Sequence, residues 1–257
     1  MTTPNSRDGF AMGWLSPDWP APSRVRAYTT TRPGGISEGP YASLNLATHV
    51  GDDTAHVVEN RRRLSAALHL PAEPLWLRQV HGIAAVAAAP GKPECEADAS
   101  YARQSGVVCA VLTADCLPLL LCDVDGGVVA AAHAGWRGLL DGVIENTVRA
   151  MHRPGSRILA WLGPAIGPAA FEVGDEVRAA FVARDPLAAA AFRPTPAGRW
   201  LADIYHLARR RLSEVGVEAV YGGHWCTVSD PARFYSYRRD HVTGRMASLI
   251  WLDSRGE

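Results

Sequence analysis

The sequence has no net charge: its 26 Lys and Arg side chains balance 26 Asp and Glu side chains. This balance argues against a protein that coats nucleic acid or binds other polyanions. Disorder is also disfavoured, because 47% of the 257 residues are apolar and supply ample material for a core. Linkers, repeats and low-complexity tracts are missing too. We therefore expect one large domain over residues 24–257, preceded by an N-terminal extension over residues 1–23.

Close cysteine pairs and long apolar segments are also missing. The five cysteines form neither a zinc ribbon nor a thioredoxin motif, and their odd number indicates free cytosolic thiols. Asp115 and Pro118 interrupt the most apolar stretch, residues 107–122. The first residues lack the basic and then apolar pattern of a signal peptide. We expect a cytoplasmic protein without a membrane span or a membrane partner.

Strand and helix patterns alternate irregularly along the chain. Short apolar runs predict strands at residues 25–31, 75–80, 107–113, 127–132, 158–162, 217–221 and 246–252. Helical spacing predicts helices after Asp53, from near Arg137, from about Asp175, and between Asp203 and Val215. Because the order is not a strict strand–helix alternation, the pattern favours an α+β fold over a doubly wound one.

Three residues that can bind a metal follow predicted strands at turns: His81, Cys116 and His133. Side chains at such turns are often presented to a cleft. Two imidazole nitrogens and one thiolate would make a zinc site with an open fourth position, as catalytic zinc requires. The three are far apart in sequence, so a buried thiol and two histidines bonded to the backbone form an alternative.

The same residues permit a second chemistry. Cys116 and His133 could act as nucleophile and base, as in cysteine hydrolases, with the imidazole lowering the pKa of the thiol. Such a pair does not need His81. The presence of His81 is therefore the feature that separates the two interpretations.

The positive charge is almost entirely arginine, since Lys92 is the single lysine. Arg137 stands near the start of a predicted helix, where backbone N–H groups can also receive an anion. Arg238, Arg239 and Arg245 lie in one motif, FYSYRRDHVTGR, whose planar donors suit phosphate or carboxylate. A solvated or ion-paired surface loop is the alternative for these residues.

A series of short motifs resembles the YfiH, or laccase-domain, family over about residues 25–252. The motifs are TRPGG (31–35), SLNL (43–46), QVHG (79–82), ADA (97–99), TADCLP (113–118), HAGWRG (133–138), GPAIG (163–167), FEVG (171–174) and residues 234–245. The resemblance implies a single α+β domain of layered helices and mixed β-sheets. It also implies a zinc site at His81, Cys116 and His133, which copper could occupy instead.

The resemblance implies several activities, because family members carry the names of multicopper polyphenol oxidases, purine nucleoside phosphorylases and adenosine deaminases. A conventional multicopper laccase is excluded, since the nine histidines include no His-X-His pair. Phosphorolysis needs a cationic phosphate pocket and charge stabilisation at the ribose, which arginines and acids can supply. Deamination needs a metal-activated water and a carboxylate that moves protons.

We therefore predict a zinc-dependent purine nucleoside phosphorylase that uses phosphate to cleave adenosine, inosine and methylthioadenosine, with adenosine deaminase activity. The expected catalytic residues are Asp115, Asp98 and Arg137. The expected substrate-binding residues are Arg32, Asn45, Arg61, Arg238 and Arg239. The expected partners are small molecules, not nucleic acid, and the sequence carries no signal for an oligomeric state. The alternatives are a copper-dependent polyphenol oxidase and an amide hydrolase that uses Cys116.

Overall fold

The computed structural model describes residues 13–254. Its central sheet has six strands in the order β13-β9-β7-β8-β5-β3, with parallel pairs at both edges and antiparallel pairs between them. These strands are β3 (Ala85–Ala87), β5 (Ala99–Ala102), β7 (Leu117–Asp123), β8 (Val129–Ala134), β9 (Ile158–Leu162) and β13 (Ala219–Gly222).

A second, antiparallel sheet has the order β1-β14-β6. It consists of β1 (Val25–Thr29), β6 (Val108–Thr113) and β14 (Met246–Leu252). Two small sheets are formed by β2 (Leu77–Arg78) with β4 (Cys95–Glu96), and by β10 (Glu172–Val173), β11 (Phe192–Pro194) and β12 (Trp200–Ala202).

The α-helices of the described residues are α1 (Thr54–Leu68), α2 (Trp136–Asp141), α3 (Val143–Ala150), α4 (Asp175–Arg184), α5 (Ile204–Glu214) and α6 (Tyr237–Asp240). Two of the predicted helix starts have side-chain caps. Asp53 accepts a hydrogen bond from the backbone of Ala55 at α1, and Asp203 accepts one from His206 at α5. Each cap satisfies a backbone N–H that the first helical turn leaves without a partner.

Strand alternation stacks these elements into four layers. In β7, Leu119 and Leu121 face the core formed with α2 to α5, whereas Leu120 faces the β1-β14-β6 sheet. The other face of that second sheet packs against α1 through Leu64 and Leu68. The layers are therefore α1, the three-stranded sheet, the six-stranded sheet and α2 to α5, which confirms the predicted α+β class with mixed, layered sheets.

The short strands β3, β4, β5, β10, β11 and β12 were not predicted, and three further local features differ from the prediction. The sequence pattern missed β7 because Pro118 lacks an N–H; in the structure its carbonyl still accepts a hydrogen bond from Gly163 at 2.9 Å. The predicted helix near Arg137 is two helices, because Gly142 adopts a left-handed conformation with φ of 112°. His133 lies inside β8 opposite Pro118 and not in a turn after the strand.

Part of the predicted N-terminal extension packs against the domain. Trp14 is buried, and Leu15 exchanges two backbone hydrogen bonds with Thr29 of β1. Residues 1–12 of that extension lie outside the described residues. Among the helices that the structure describes, none is long and apolar enough to cross a membrane.

Candidate active site

The three predicted metal ligands meet at one end of the β7-β8 pair. Cys116 immediately precedes β7, and His133 lies opposite Pro118, so the pairing register places Cys116 and His133 at the same end. His81 reaches them from a turn after β2, where its φ is 60°. The ligand atoms of all three lie within 4.8 Å of one another, and 3.7 Å separates Cys116 Sγ from His81 Nε2.

A fully buried carboxylate, Asp98, holds two of the three ligands. Its Oδ1 accepts hydrogen bonds from His133 Nδ1 at 2.8 Å and from the backbone N–H of His81 at 3.0 Å. Its Oδ2 accepts from the backbone of Gly82 at 2.7 Å and of Val80 at 3.2 Å. Because Nδ1 of His133 is engaged, Nε2 is the nitrogen left for a metal, as in other carboxylate–histidine–metal arrangements.

Two glycines of the HAGWRG motif permit close approach at this site. A Cβ at Gly135 would lie 2.7 Å from Cδ2 of His81 and 3.2 Å from Sγ of Cys116. A Cβ at Gly138 would lie 2.7 Å from the carbonyl oxygen of Gly82. Any larger residue would therefore push the start of α2 away from the His81 turn.

Gln79 fixes the chain before His81. Its Nε2 donates to the carbonyl of Leu112 at 2.8 Å, and its Oε1 accepts from the N–H of the same residue at 2.7 Å. The side-chain amide thus substitutes for a neighbouring strand at the end of β6. Through this contact the second sheet also determines where the His81 turn lies.

The Cys116–His133 pair has strongly shifted pKa values. Burial raises the pKa of the Cys116 thiol, but the two histidines outweigh burial and lower it to about 6. Burial lowers the pKa of His133, whereas Cys116 and Asp98 raise it to about 9. These opposite shifts favour a thiolate beside an imidazolium in the metal-free site, and a metal that binds His133 would displace its proton.

The three residues fit a metal ion. Two imidazoles and a thiolate are the donors that zinc prefers, and three protein ligands leave a fourth position open. Asp98 orients His133 from behind, and Gly135 leaves the space that the side chains of His81 and Cys116 need. Within residues 13–254 this is the one group of three or more candidate ligands that lie close enough to share an ion.

Two cavities adjoin the three ligands. The His49 cavity, of about 490 Å³, is lined by His49, Gln79, His81, Leu112, Thr113, Ala114, Cys116, His133, Arg137, Tyr237 and Arg245. The Phe171 cavity, of about 250 Å³, is lined by Ala114, Asp115, Cys116, Trp136, Arg137, Ile166, Phe171, Ile204, Tyr237 and Arg238. Four residues line both: Ala114, Cys116, Arg137 and Tyr237. The shared wall makes the two cavities parts of one site.

The Phe171 cavity combines flat aromatic walls with one carboxylate. Trp136, Phe171 and Tyr237 supply the rings. Asp115 is held by the Thr227 hydroxyl, which donates to Oδ1 at 2.5 Å, and by the backbone N–H of Arg238, which donates to Oδ2 at 2.6 Å. A rigid carboxylate beside aromatic surfaces suits a planar heterocycle that carries N–H groups.

Besides the three predicted metal ligands, three of the predicted catalytic and substrate-binding residues line these cavities: Asp115, Arg137 and Arg238. Asp98 lines neither of them, and its oxygens already accept four hydrogen bonds. We therefore revise its predicted proton-transfer role to a positioning role behind His133.

The remaining four predicted substrate-binding residues line neither cavity, and their polar groups have protein partners. Arg32 donates to the Ala42 carbonyl, Arg61 donates to the Leu46 carbonyl and stacks on Trp76, and Arg239 donates to carbonyls and to Asp240. Asn45 is fully buried and accepts hydrogen bonds from Ala47 and Arg245. These contacts hold the surrounding loops, and the contact of these four residues with substrate stays a prediction.

Sequence reasoning did not assign His49, Thr113 or Tyr237 to the site, and it did not include Arg245 among the expected substrate-binding residues. Arg245 and Tyr237 belong to the FYSYRRDHVTGR motif, whose suitability for an anion was predicted; of its three arginines, Arg238 and Arg245 line the cavities and Arg239 does not. His49 stands alone in a loop without a signal of its own. Burial, together with the nearby charge of Arg245, lowers its pKa.

Within the described residues, a layered α+β fold places a His–Cys–His cluster that could hold a metal ion beside two cavities. The chain matches the family model described as multi-copper polyphenol oxidoreductase laccase over residues 26–253. It belongs to this family, which is the YfiH, or laccase-domain, family.

Two similar relatives are named purine nucleoside phosphorylases. One, from Pseudomonas aeruginosa, is 59% identical over 93% of this chain and 98% of its own length. The other, YfiH of Escherichia coli, is 57% identical over the same shares. A solved structure of a Neisseria meningitidis protein has a TM-score of 0.90 and 52% identity, covering 94% of this chain and 99% of that one.

Proposed function

We propose that this chain is a zinc-dependent purine nucleoside phosphorylase. One observation carries the proposal: the His–Cys–His cluster lines the His49 cavity, and one of its members, Cys116, lies on the wall that this cavity shares with the aromatic Phe171 cavity. Phosphorolysis brings together a purine, a ribose and a phosphate, and the two adjoining cavities offer matching chemistry next to the cluster. The names of the relatives support the same activity.

The metal would be held by His81, Cys116 and His133. When bound, zinc would supply a Lewis acid that polarises an oxygen of the substrate. The protein residues have separate tasks. Asp98 orients His133, and Arg137 borders both cavities, where its charge can hold the phosphate close to the nucleoside.

The purine would lie in the Phe171 cavity. Trp136, Phe171 and Tyr237 offer faces for stacking, and Asp115 can accept a hydrogen bond from a ring N–H or an exocyclic amine. We propose adenosine, inosine and methylthioadenosine as substrates. Adenosine deamination is a second proposed activity, because the Asp115 carboxylate lines the same cavity as Cys116 and is placed to move protons at a bound base. We also propose that the protein acts in the cytosol, where cysteines stay reduced.

A cysteine hydrolase is the competing interpretation, and one observation favours it. Cys116, His133 and Asp98 form a thiolate, imidazolium and carboxylate chain of the kind that such enzymes use. Two other observations favour metal binding instead. Nε2 of His81 lies 3.7 Å from Sγ of Cys116, and Gly135 packs against the side chains of both residues. A copper-dependent polyphenol oxidase would use the same three ligands.

Product identification tests the proposed function. Purified zinc-loaded protein is incubated with adenosine or inosine, with and without inorganic phosphate, and the products are separated by chromatography. We expect ribose 1-phosphate and free base only when phosphate is present, and inosine from adenosine in either condition. Absence of phosphate-dependent base release would contradict the proposal, and phenol oxidation by the copper-loaded protein would favour the oxidase.

A further inference from the structure

Thr113 contributes a buried hydroxyl to the His49 cavity. The residue is only 2% exposed, and its Oγ1 has no hydrogen-bond partner among the residues that the structure describes. A buried hydroxyl without a partner costs free energy, so proteins rarely leave one unsatisfied without a reason. Oγ1 itself is enclosed, but Thr113 lines the cavity, so a rotation of its side chain would present the hydroxyl to a ligand there.

Strand pairing brings Arg245 to the same end of the second sheet as Thr113, and both residues line the His49 cavity. In the antiparallel β6-β14 pair, Met246 is opposite Thr113, so Arg245 enters the sheet at the end where Thr113 leaves it. Asn45 fixes its backbone by accepting its N–H at 3.0 Å, and Nη1 donates to the carbonyls of Thr243 and Gly244.

The guanidinium of Arg245 has no carboxylate within salt-bridge distance in the described part of the chain, although the side chain is half-buried and lines the cavity. The nearest negative charges are the Cys116 thiolate, which a bound metal would neutralise, and the Asp115 carboxylate, which lines the other cavity. A partly desolvated cation without a carboxylate partner favours an anionic ligand. Arg137 adds a second positive charge on the same cavity wall, and His49 adds an imidazole. None of the described residues that line this cavity is an Asp or a Glu.

We propose that the His49 cavity is the phosphate subsite, in which Thr113 and Arg245 donate hydrogen bonds to the anion. The identity of the anion as phosphate rests on the proposed function. The purine then occupies the Phe171 cavity, and the ribose C1′ lies near the shared wall. A phosphate oxygen forms a bond to C1′ as the bond from C1′ to the purine nitrogen breaks. Both electrons of that bond go to the base, which takes the proton of dihydrogen phosphate.

Thr113→Val tests the hydroxyl, since valine keeps the shape and removes the donor. Inorganic phosphate is titrated into the zinc-loaded protein by calorimetry, so the readout does not depend on turnover. We expect phosphate binding to weaken about ten-fold or more, with no loss of thermal stability because the hydroxyl has no protein partner. The control is Thr147→Val, a buried threonine in α3 that bonds within its own helix and lines neither cavity; it should bind phosphate normally.

Arg245→Met tests the charge. We expect phosphate affinity to fall by about 100-fold, and Arg245→Lys to recover part of it, because lysine keeps the charge but not the planar fork. Arg233→Met is the matched control. Arg233 is exposed, pairs with Asp230 and lines neither cavity, so its loss changes net charge equally without touching the subsite.

Steady-state kinetics separates this inference from the proposed function. We expect Thr113→Val to raise the KM for phosphate about ten-fold and to leave the KM for the nucleoside within two-fold. Unchanged phosphate binding in folded Thr113→Val and Arg245→Met proteins would overturn the subsite even if the wild-type protein is a phosphorylase. The wild-type protein could also bind phosphate, lose this binding in both variants, and cleave no nucleoside. That result would support the phosphate subsite and refute the proposed phosphorylase activity.

Discussion

The carboxylate of Asp98 serves two candidate ligands at once. It accepts the Nδ1 hydrogen of His133 and three backbone N–H groups of residues 80–82, so one buried side chain fixes both the ring of His133 and the turn that carries His81. Hydrogen bonds from these donors favour the ionised form and help to keep the pKa of Asp98 below its usual value despite burial, which raises it.

Replacing this carboxylate tests its positioning role. Asp98→Asn should lower zinc affinity by about 10- to 100-fold, because an amide presents one acceptor oxygen where the carboxylate presents two. Competition with a chromophoric chelator measures the affinity. Asp125→Asn, an exposed change at the surface pair with Arg157, serves as the control. Unchanged zinc affinity in a folded Asp98→Asn protein would show that Asp98 does not position the ligands.

At the scale of single residues, the sequence predicted the three candidate ligands better than the residues around them. Cys116, His81 and His133 are chemically distinctive, and each stands near a strand end. The motif of Arg245 was visible, but arginines look alike in sequence. What distinguishes Arg238, Arg239 and Arg245 is the set of neighbours that accept their hydrogen bonds. Tertiary contacts determine those neighbours, as when Arg239 donates to the Thr227 carbonyl.

Among the elements, the approach of α2 to the His81 turn is the contact on which the site depends. Gly135 precedes α2, where a Cβ would collide with His81 and crowd Cys116. Gly135→Ala should therefore reduce zinc affinity at least ten-fold while costing about 1–3 kcal/mol of stability through overpacking. Gly127→Ala is the control, since a Cβ there meets its nearest neighbour, Arg153, at an ordinary 3.4 Å. Wild-type zinc affinity for Gly135→Ala would contradict the assigned packing role.

A buried ion pair joins α3 to α5 on the helical side. Arg211 of α5 contacts Glu145 of α3, and their side chains are 4% and 13% exposed. Arg211→Met removes the buried counter-ion of Glu145 and leaves it only the half-exposed Arg184 at 3.6 Å, so we expect a loss of about 3 kcal/mol in the free energy of unfolding, the lower end of the range for a broken buried pair. Urea denaturation measures the loss. The exposed Arg149→Met change on α3 should cost less than about 0.5 kcal/mol, and an equally small effect at Arg211 would refute the structural role.

Elements with strong local signals were predicted correctly, and those decided by tertiary contacts were not. Asp53 and Asp203 cap α1 and α5 as their side-chain chemistry requires. The sequence pattern did not predict β7, because proline usually argues against a central strand. Pro118 is compatible with this strand because its carbonyl accepts a hydrogen bond from the N–H of Gly163, a bond that needs no N–H from the proline. Gly142 is compatible with a continuous helix in sequence, and only the packing of α2 and α3 against β8 determines the break.

For the molecule as a whole, the four layers explain why the site lies where it does. The six-stranded sheet is covered by helices on one face and by the β1-β14-β6 sheet on the other, so both faces are buried. The ends of β6, β7, β8 and β14 then supply Thr113, Cys116, His133 and Arg245 to one region. Composition and periodicity predicted the fold class, but the order of strands that creates this region follows from long-range pairing.

The metal dependence of phosphorolysis tests the central claim most directly. Metal-free protein is titrated with zinc, and ribose 1-phosphate formation from inosine and phosphate is measured at each point. We predict activity that rises linearly and levels at about one zinc per chain, is absent in Cys116→Ala, and is partly retained in Cys116→Asp, which keeps an oxygen ligand. Full activity in verified metal-free protein, together with a substrate adduct on Cys116 by mass spectrometry, would contradict the account.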